Sequence, residues 1–114
     1  MIAVIFEAWP RTDQYQRYLD LAAELRPLLA DLEGFISIER FQSLSEPGKL
    51  LSLSFWRDED SIQRWRQLEQ HRMAQAAGRT QVFEDYRLRI AHVLRDYSLT
   101  ERSEAPADSR KVHS

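Results

Sequence analysis

The sequence contains no cysteine, no asparagine, three glycines, four prolines and three histidines. Without cysteine, a disulfide scaffold, a thiol nucleophile and a cysteine zinc site are excluded. The same absence permits a cytoplasmic location, which is the expectation. Gly34, Gly48 and Gly78 are too scattered to build a glycine-rich phosphate loop. No apolar run approaches the ~18–20 residues that cross a bilayer, so no membrane partner is expected. The opening Met-Ile-Ala-Val-Ile-Phe lacks the basic n-region and small-residue cleavage site of a secretory leader. There is no His-Glu-x-x-His, no Gly-x-Ser-x-Gly and no carboxylate cluster at metal spacing. No structural transition-metal site is therefore expected. An excess of one charge is also lacking: 16 Lys and Arg stand against 18 Asp and Glu, for a net charge of -2. Nucleic-acid binders usually show a basic excess, because phosphate contacts dominate their affinity, so no nucleic-acid partner is expected.

What is present fits one small globular domain: 114 residues, 43% hydrophobic, 11% aromatic and 30% charged. Ile2 to Trp9 is a compact run of β-formers ended by Pro10. Thr12 or Asp13 can cap the helix that follows. There Tyr15, Tyr18, Leu19, Ala22, Leu25, Leu29 and Leu32 recur at helical spacing. Pro27 lies inside this helix and should kink it, and Gly34 stands where a C-terminal glycine cap belongs. Phe35 to Gln42 reads as a second strand, Glu46-Pro47-Gly48-Lys49 as a turn and Leu50 to Trp56 as a third strand. Asp58 caps a second helix, expected from about Glu59 to Ala77 with Gly78 at its end. Phe83 to Tyr86 leads into a last strand, expected from about Arg87 to Ser98.

The order β-α-β-β-α-β predicts an α+β, ferredoxin-like fold. Right-handed crossovers put both helices on one face of a four-stranded antiparallel sheet. Residues 1–99 form the domain, and the polar stretch 100–114, with Val112 its only branched aliphatic residue, is expected to be an extension that is mobile or draped over a neighbour.

The sheet's other face is also apolar. Ile2, Val4 and Phe6 point one way and Ala3, Ile5 and Trp9 the other. Leu51, Leu53 and Phe55 oppose Leu50 and Trp56, and Leu88, Ile90 and Leu94 oppose Ala91 and Val93. Two apolar faces need two covers, and a second protomer on the sheet is the simplest second cover. A homodimer is expected.

The most informative stretch is WRQLEQHRMAQAAGR from Trp65 to Arg79, followed by TQVFEDYRLRIAHVLRDY. Together with the element order, the Gln-Ala-Ala-Gly-Arg segment and the arginine-rich final strand ending Arg95-Asp96-Tyr97, it resembles the antibiotic biosynthesis monooxygenase (ABM) family. The resemblance covers residues 1 to about 99. It implies a dimeric α+β barrel with a pocket between the helices and the sheet of each protomer. It also implies a cofactor-independent monooxygenase acting on a small aromatic or quinol-like substrate. A base removes a phenolic or enolic proton, and the electron-rich anion then reacts with dioxygen. The protein must supply the base, a hydrogen-bond donor for the developing anion and a dry cavity.

His71 is the first candidate for that base, because histidine titrates near neutrality. On a straight helix it lies about 120° around the axis from Trp65. A helix break near Glu69 to Arg72 would be needed to aim it at the sheet, and without one it is a surface residue. Trp65, Trp56 and Phe6 are candidate pocket walls, each of which a plain hydrophobic core would also use. Tyr86 can donate to an oxyanion. Arg72, Arg79 or Arg89 can hold a phenolate or carboxylate, or form surface ion pairs with Glu69, Glu84, Asp85 or Asp96. Arg72, nearly two turns from Trp65, is better aimed than His71. His92 alternates with Leu88, Ile90 and Leu94 and should be partly buried.

Two alternatives stand beside this reading. The heme-degrading branch of the family calls for a first-strand asparagine, a helix tryptophan and a proximal histidine. This sequence has no asparagine, and Trp65 and His71 are close together, so heme ranks below a cofactor-free site. The other alternative is a non-catalytic dimeric module that binds a small ligand, since one fold hosts both.

Overall fold

The computed structural model describes residues 1–77 and 82–106, with side chains up to Met73 in the second helix. Gly78, Arg79, the side chain of Ala76 and the segment 107–114, with Val112, lie outside what is described. The chain forms β1 (Ile2–Pro10), α1 (Tyr15–Ala30), β2 (Phe35–Gln42), β3 (Leu50–Trp56), α2 (Glu59–Ala77) and β4 (Phe83–His92). The four strands make one antiparallel sheet in the order β2-β3-β1-β4. This is the ferredoxin-like α+β arrangement expected from the sequence.

Differences lie at the element ends. A 3-10 turn over Thr12–Gln14 precedes α1, and Gln14 occupies the cap position without a side-chain bond. Thr12 and Asp13 therefore do not cap the helix. α1 runs through Pro27 to Ala30, and Pro27 is exposed. β4 begins at Phe83 and stops at His92, well before Ser98. The reason lies in the register: Pro10 pairs with Phe83 and Ile2 with His92, so β1 runs out of length to pair with. Val93 makes one further bond, from its N–H to the carbonyl of Met1. His92, expected to be partly buried, is exposed because it sits at that ragged end. Beyond it, the chain from Ser98 to Ala105 folds into local turns. Arg102 lies over the Tyr97 ring at 5.0 Å, and Ala105 is buried.

Other boundaries follow the sequence chemistry. The Asp58 carboxylate accepts from the backbone N–H of Ser61 at 2.9 Å and from its hydroxyl at 2.7 Å, closing the first turn of α2. These bonds and Arg57 hold the Asp58 carboxyl well below the usual carboxylate range. Gly34 adopts φ +89°, the left-handed conformation that lets the chain leave α1 and enter β2.

Both helices cover the same face of the sheet. One apolar cluster joins Ile2, Trp56, Ile62, Trp65, Leu25 and Leu29. A second joins Tyr18, Leu50 and Val82, flanked by Met73 and Phe83. Among the described residues, no helix is long and apolar enough to cross a membrane.

Candidate functional site

The gap between the two clusters comes from β3. Its helix-facing residues are Leu50, Ser52, Ser54 and Trp56. Large apolar side chains stand at the ends and two serines in the middle. Small residues there leave space where leucines would have closed the core. A cavity of about 60 Å³ opens over the serines, room for a few water molecules.

Register fixes its floor. Arg40 on β2 pairs with Ser52, Ser52 with Phe6 on β1, and Phe6 with Leu88 on β4, so one row crosses the whole sheet. The next row runs Ile38, Ser54, Val4 and Ile90. Directly opposed residues share a sheet face, so both rows look toward the helices. Tyr86 stands beside Ala8 at one end of the cavity, where it is largely exposed yet lines the opening. Its ring lies 5.8 Å from Phe6, and Phe83 stacks edge-on to Phe6 at 5.6 Å.

The roof is α2. Ile62, Trp65, Arg66 and Glu69 all line the cavity. Spacings of three and four put them on adjoining stripes of one helix face. Trp65 is buried. Trp56 is wholly buried, and its indole N–H donates to the Ser54 hydroxyl at 2.9 Å, which fixes the ring. That bond satisfies both polar groups inside the core.

Glu69 is the unexpected member. It is a carboxyl on an apolar stripe, and burial pushes its pKa above the ordinary 4.5. Arg40, Arg66 and the Trp65 indole pull the other way without reversing the shift. Tyr18 on α1 is likewise pushed upward by burial, against the nearby Arg40. The Arg40 charge acts on both Tyr18 and Glu69, and its Nε is buried without a hydrogen-bond partner, although Arg40 does not itself line the cavity.

Of the expected site residues, the structure brings Phe6, Trp56, Trp65 and Tyr86 together around the cavity. It places three others elsewhere. His71 is exposed on α2, because the helix continues unbroken from Glu59 to Ala77 and nothing turns that side chain toward the sheet. Arg72 is exposed too, while the adjacent Met73 takes the inward position against the second cluster. Arg89 pairs with Ile5 in the ladder and so lies on the opposite sheet face, where it donates to Glu7. Arg79 lies outside the described residues. Glu69, Arg40, Arg66 and the two serines were not singled out from the sequence as site residues. The spacing Ile62, Trp65, Glu69, Met73 carries the signal for the first of them: a lone carboxylate interrupting an apolar stripe.

Comparison with known proteins agrees with this architecture. The family profile described as Antibiotic biosynthesis monooxygenase matches residues 1–77. Jasmonate monooxygenase ABM of Pyricularia oryzae is 55% identical over 93 residues, covering 82% of this chain and 43% of that protein. The chain thus matches less than half the length of that relative. YqjZ of Bacillus subtilis is 31% identical over 80% of this chain and 77% of its own length. Among solved structures, Rv0793 of Mycobacterium tuberculosis superposes with a TM-score of 0.71 at 18% identity, over 85% of this chain and 98% of that one. SnoaB of Streptomyces nogalater, a cofactor-independent oxygenase, does so with a TM-score of 0.67 at 8% identity, over 83% and 94% of the two chains. The expected resemblance is borne out: the chain belongs to the antibiotic biosynthesis monooxygenase family.

Proposed function

We propose that the protein is a monooxygenase that needs no cofactor of its own, oxidising with dioxygen a small aromatic or quinol-like substrate that enters the cavity beneath α2 through its opening at Tyr86 and extends beyond the enclosed part. The observation that carries this reading is the half-buried Glu69 carboxyl lining the cavity with Trp65, Phe6 and Trp56. Aromatic walls suit a flat substrate, and a carboxylate of raised pKa is a stronger base than one in water. Glu69 takes the phenolic or enolic proton. The resulting anion passes electrons to dioxygen, so that a ring methylene and O2 become a carbonyl and water. Tyr86, at the cavity opening, donates a hydrogen bond to the developing oxyanion. The oxygenase activity of SnoaB and the monooxygenase name of the Pyricularia relative support the reaction class.

The sequence assigned the base to His71. We assign it to Glu69, because Glu69 lines the cavity and His71 does not. Heme ranks lower for a related reason: among the described residues, no histidine lines this cavity to ligate iron. The 55% identity to a protein named for jasmonate favours a second substrate reading, a jasmonate-like alicyclic ketone in the same cavity.

The working unit in this proposal is a homodimer. The sheet face away from the helices carries Ile5, Leu51, Leu53 and Phe55, with Phe41 43% exposed beside Leu51. Such a contiguous patch suits a second copy.

The test is oxygen uptake by purified protein against a panel of quinols, anthrone-like ketones and jasmonate, run beside a hemin titration. Oxygen-dependent loss of one panel member without added metal or flavin is the expected result. A stoichiometric Soret band that decays with reductant in air would overturn it in favour of heme degradation. Ligand-induced stabilisation without turnover would make the protein a binding module.

A further inference from the structure

Arg66 and Glu69 stand three residues apart on α2, and both line the cavity. That spacing makes them neighbours on the helix surface. Both are half-buried. Yet neither is spent on the other. Among the described residues no ion pair joins them, and Arg66 has no carboxylate within ion-pair distance. Among the described residues that line the cavity, Arg66 is the only cation and Glu69 the only carboxyl, with Tyr86 from β4 the one other titratable group. The lining from β1, β2 and β3 is uncharged. With Glu69 ionised, the cavity wall therefore carries one fixed positive charge and one negative charge that can leave.

The proposed reaction moves that negative charge. Glu69 takes a proton from the substrate and becomes neutral, leaving the charge on the conjugated oxygen and carbon. The anion adds to dioxygen through a new carbon–oxygen bond, and the charge passes to the outer peroxide oxygen. That oxygen recovers the proton from Glu69. The remaining C–H bond and the O–O bond then break to give the carbonyl and water. The carbon is oxidised, and both atoms of dioxygen are reduced. At every stage one negative charge lies in the cavity, each time on a different atom. An anion in such an apolar space is costly unless a counter-charge stays beside it. A guanidinium keeps its charge throughout and offers several donors in one plane, so it can follow the anion without giving up a proton.

We propose that Arg66 is a catalytic residue, the fixed counter-charge that stabilises first the substrate anion and then the peroxide anion while Glu69 carries the proton. This rests on the reading of the cavity as the active site, and it adds the group that makes the substrate ionise there. Tyr86 gives its hydrogen bond at the opening, and Arg66 supplies the charge from the roof.

The phenol 4-nitrophenol tests it with the whole chain and without turnover, because its neutral and ionised forms absorb at different wavelengths. Bound to Arg66→Gln, the probe should titrate at least about one pH unit higher than when bound to wild type, a tenfold change in its ionisation. Arg66→Lys keeps the charge and should restore most of the difference, which a merely structural role would not do, and it guards against loss of folding in Arg66→Gln. On a substrate that wild type oxidises, Arg66→Gln should lower kcat ~100-fold. Equal titration of the probe in wild type and Arg66→Gln would overturn the proposal. So would failure of wild type to bind the probe at millimolar concentration. Oxygen uptake separates this proposal from the reading beneath it. A probe titration that depends on Arg66, with no uptake on any panel member, keeps the anion site and removes the monooxygenase. Uptake as fast in Arg66→Gln as in wild type keeps the monooxygenase and removes the role of Arg66.

Discussion

Trp65 and Glu69 lie one turn apart on α2 and face the same cavity, so an indole and a half-buried carboxyl meet whatever enters it. The pairing gives Glu69 two roles that one substitution can read. As a base it should be needed for turnover, and as a half-buried, partly desolvated acid it should cost stability when ionised.

Glu69→Gln is therefore expected to lower kcat at least ~100-fold, the scale of losing a general base. The same variant should be more stable than wild type at neutral pH by about 1 kcal/mol, a rise of several degrees in Tm. The sign follows from the raised pKa. Below the ordinary value of 4.5 the group is protonated both folded and unfolded, and the two proteins should match. As pH rises through the folded pKa, wild type loses stability relative to the Gln variant. Paired melting curves between pH 4 and 8 measure this, and a difference independent of pH would contradict the burial of an ionisable Glu69. His71→Ala, at an exposed position, should leave kcat within about twofold.

The cavity itself depends on Ser52. Ser52→Val would fill part of the space beneath Trp65 without moving the ladder. Cavity filling of this kind commonly adds ~0.5–2 kcal/mol of stability. A higher Tm together with loss of turnover and ligand binding is the expected pair of results. Full activity in the stabilised variant would place the chemistry elsewhere on the molecule.

The fold was largely legible because its signals are local. Alternation in β1 and β3, the three-four spacing of Ala22, Leu25, Leu29 and Leu32, and the Asp58 cap all act within a few residues. The site was legible only where it shares those signals. Phe6, Trp56 and Trp65 were visible because an aromatic residue on an inward face lines either a core or a pocket. Ser52 was not, because only strand register places it beside Phe6 at the cavity, and register is set by distant pairing. His71 and Arg72 are the opposite case, exposed on α2 and away from the cavity. Residue type suggested chemistry, while the continuous turn of α2 pointed them to water.

The apolar outer face makes a different demand. Leu53 pairs with Ile5 on one side and Glu39 on the other, near the middle of that face. A charge there would be buried without a partner in a sheet-to-sheet dimer and harmless in a monomer. Leu53→Glu should therefore halve the mass seen by light scattering while leaving the circular dichroism spectrum unchanged. An unchanged mass, with wild type dimeric, would move the interface off this face.

Gly34 offers the sharpest test of the backbone. It holds φ +89°, and a Cβ there would fall 1.9 Å from the Ser61 hydroxyl oxygen and 2.7 Å from its Cβ. Ser61 cannot withdraw, because its backbone N–H and its hydroxyl both close the α2 cap on Asp58. The Gly34 carbonyl in turn accepts from the Arg57 N–H at 2.7 Å, tying the end of α1 to the start of α2. Gly34→Ala thus combines a left-handed penalty with a clash against a fixed neighbour, and it should cost about 2 kcal/mol or more. Gly48 supplies the control. Nothing lies within 4 Å of a Cβ built on it, so Gly48→Ala should stay within ~0.5 kcal/mol of wild type. Urea melts of the two variants separate these expectations. Equal midpoints would mean that the α1–β2 junction can relax around the added methyl, and that Ser61 is held less firmly than its two bonds to Asp58 indicate.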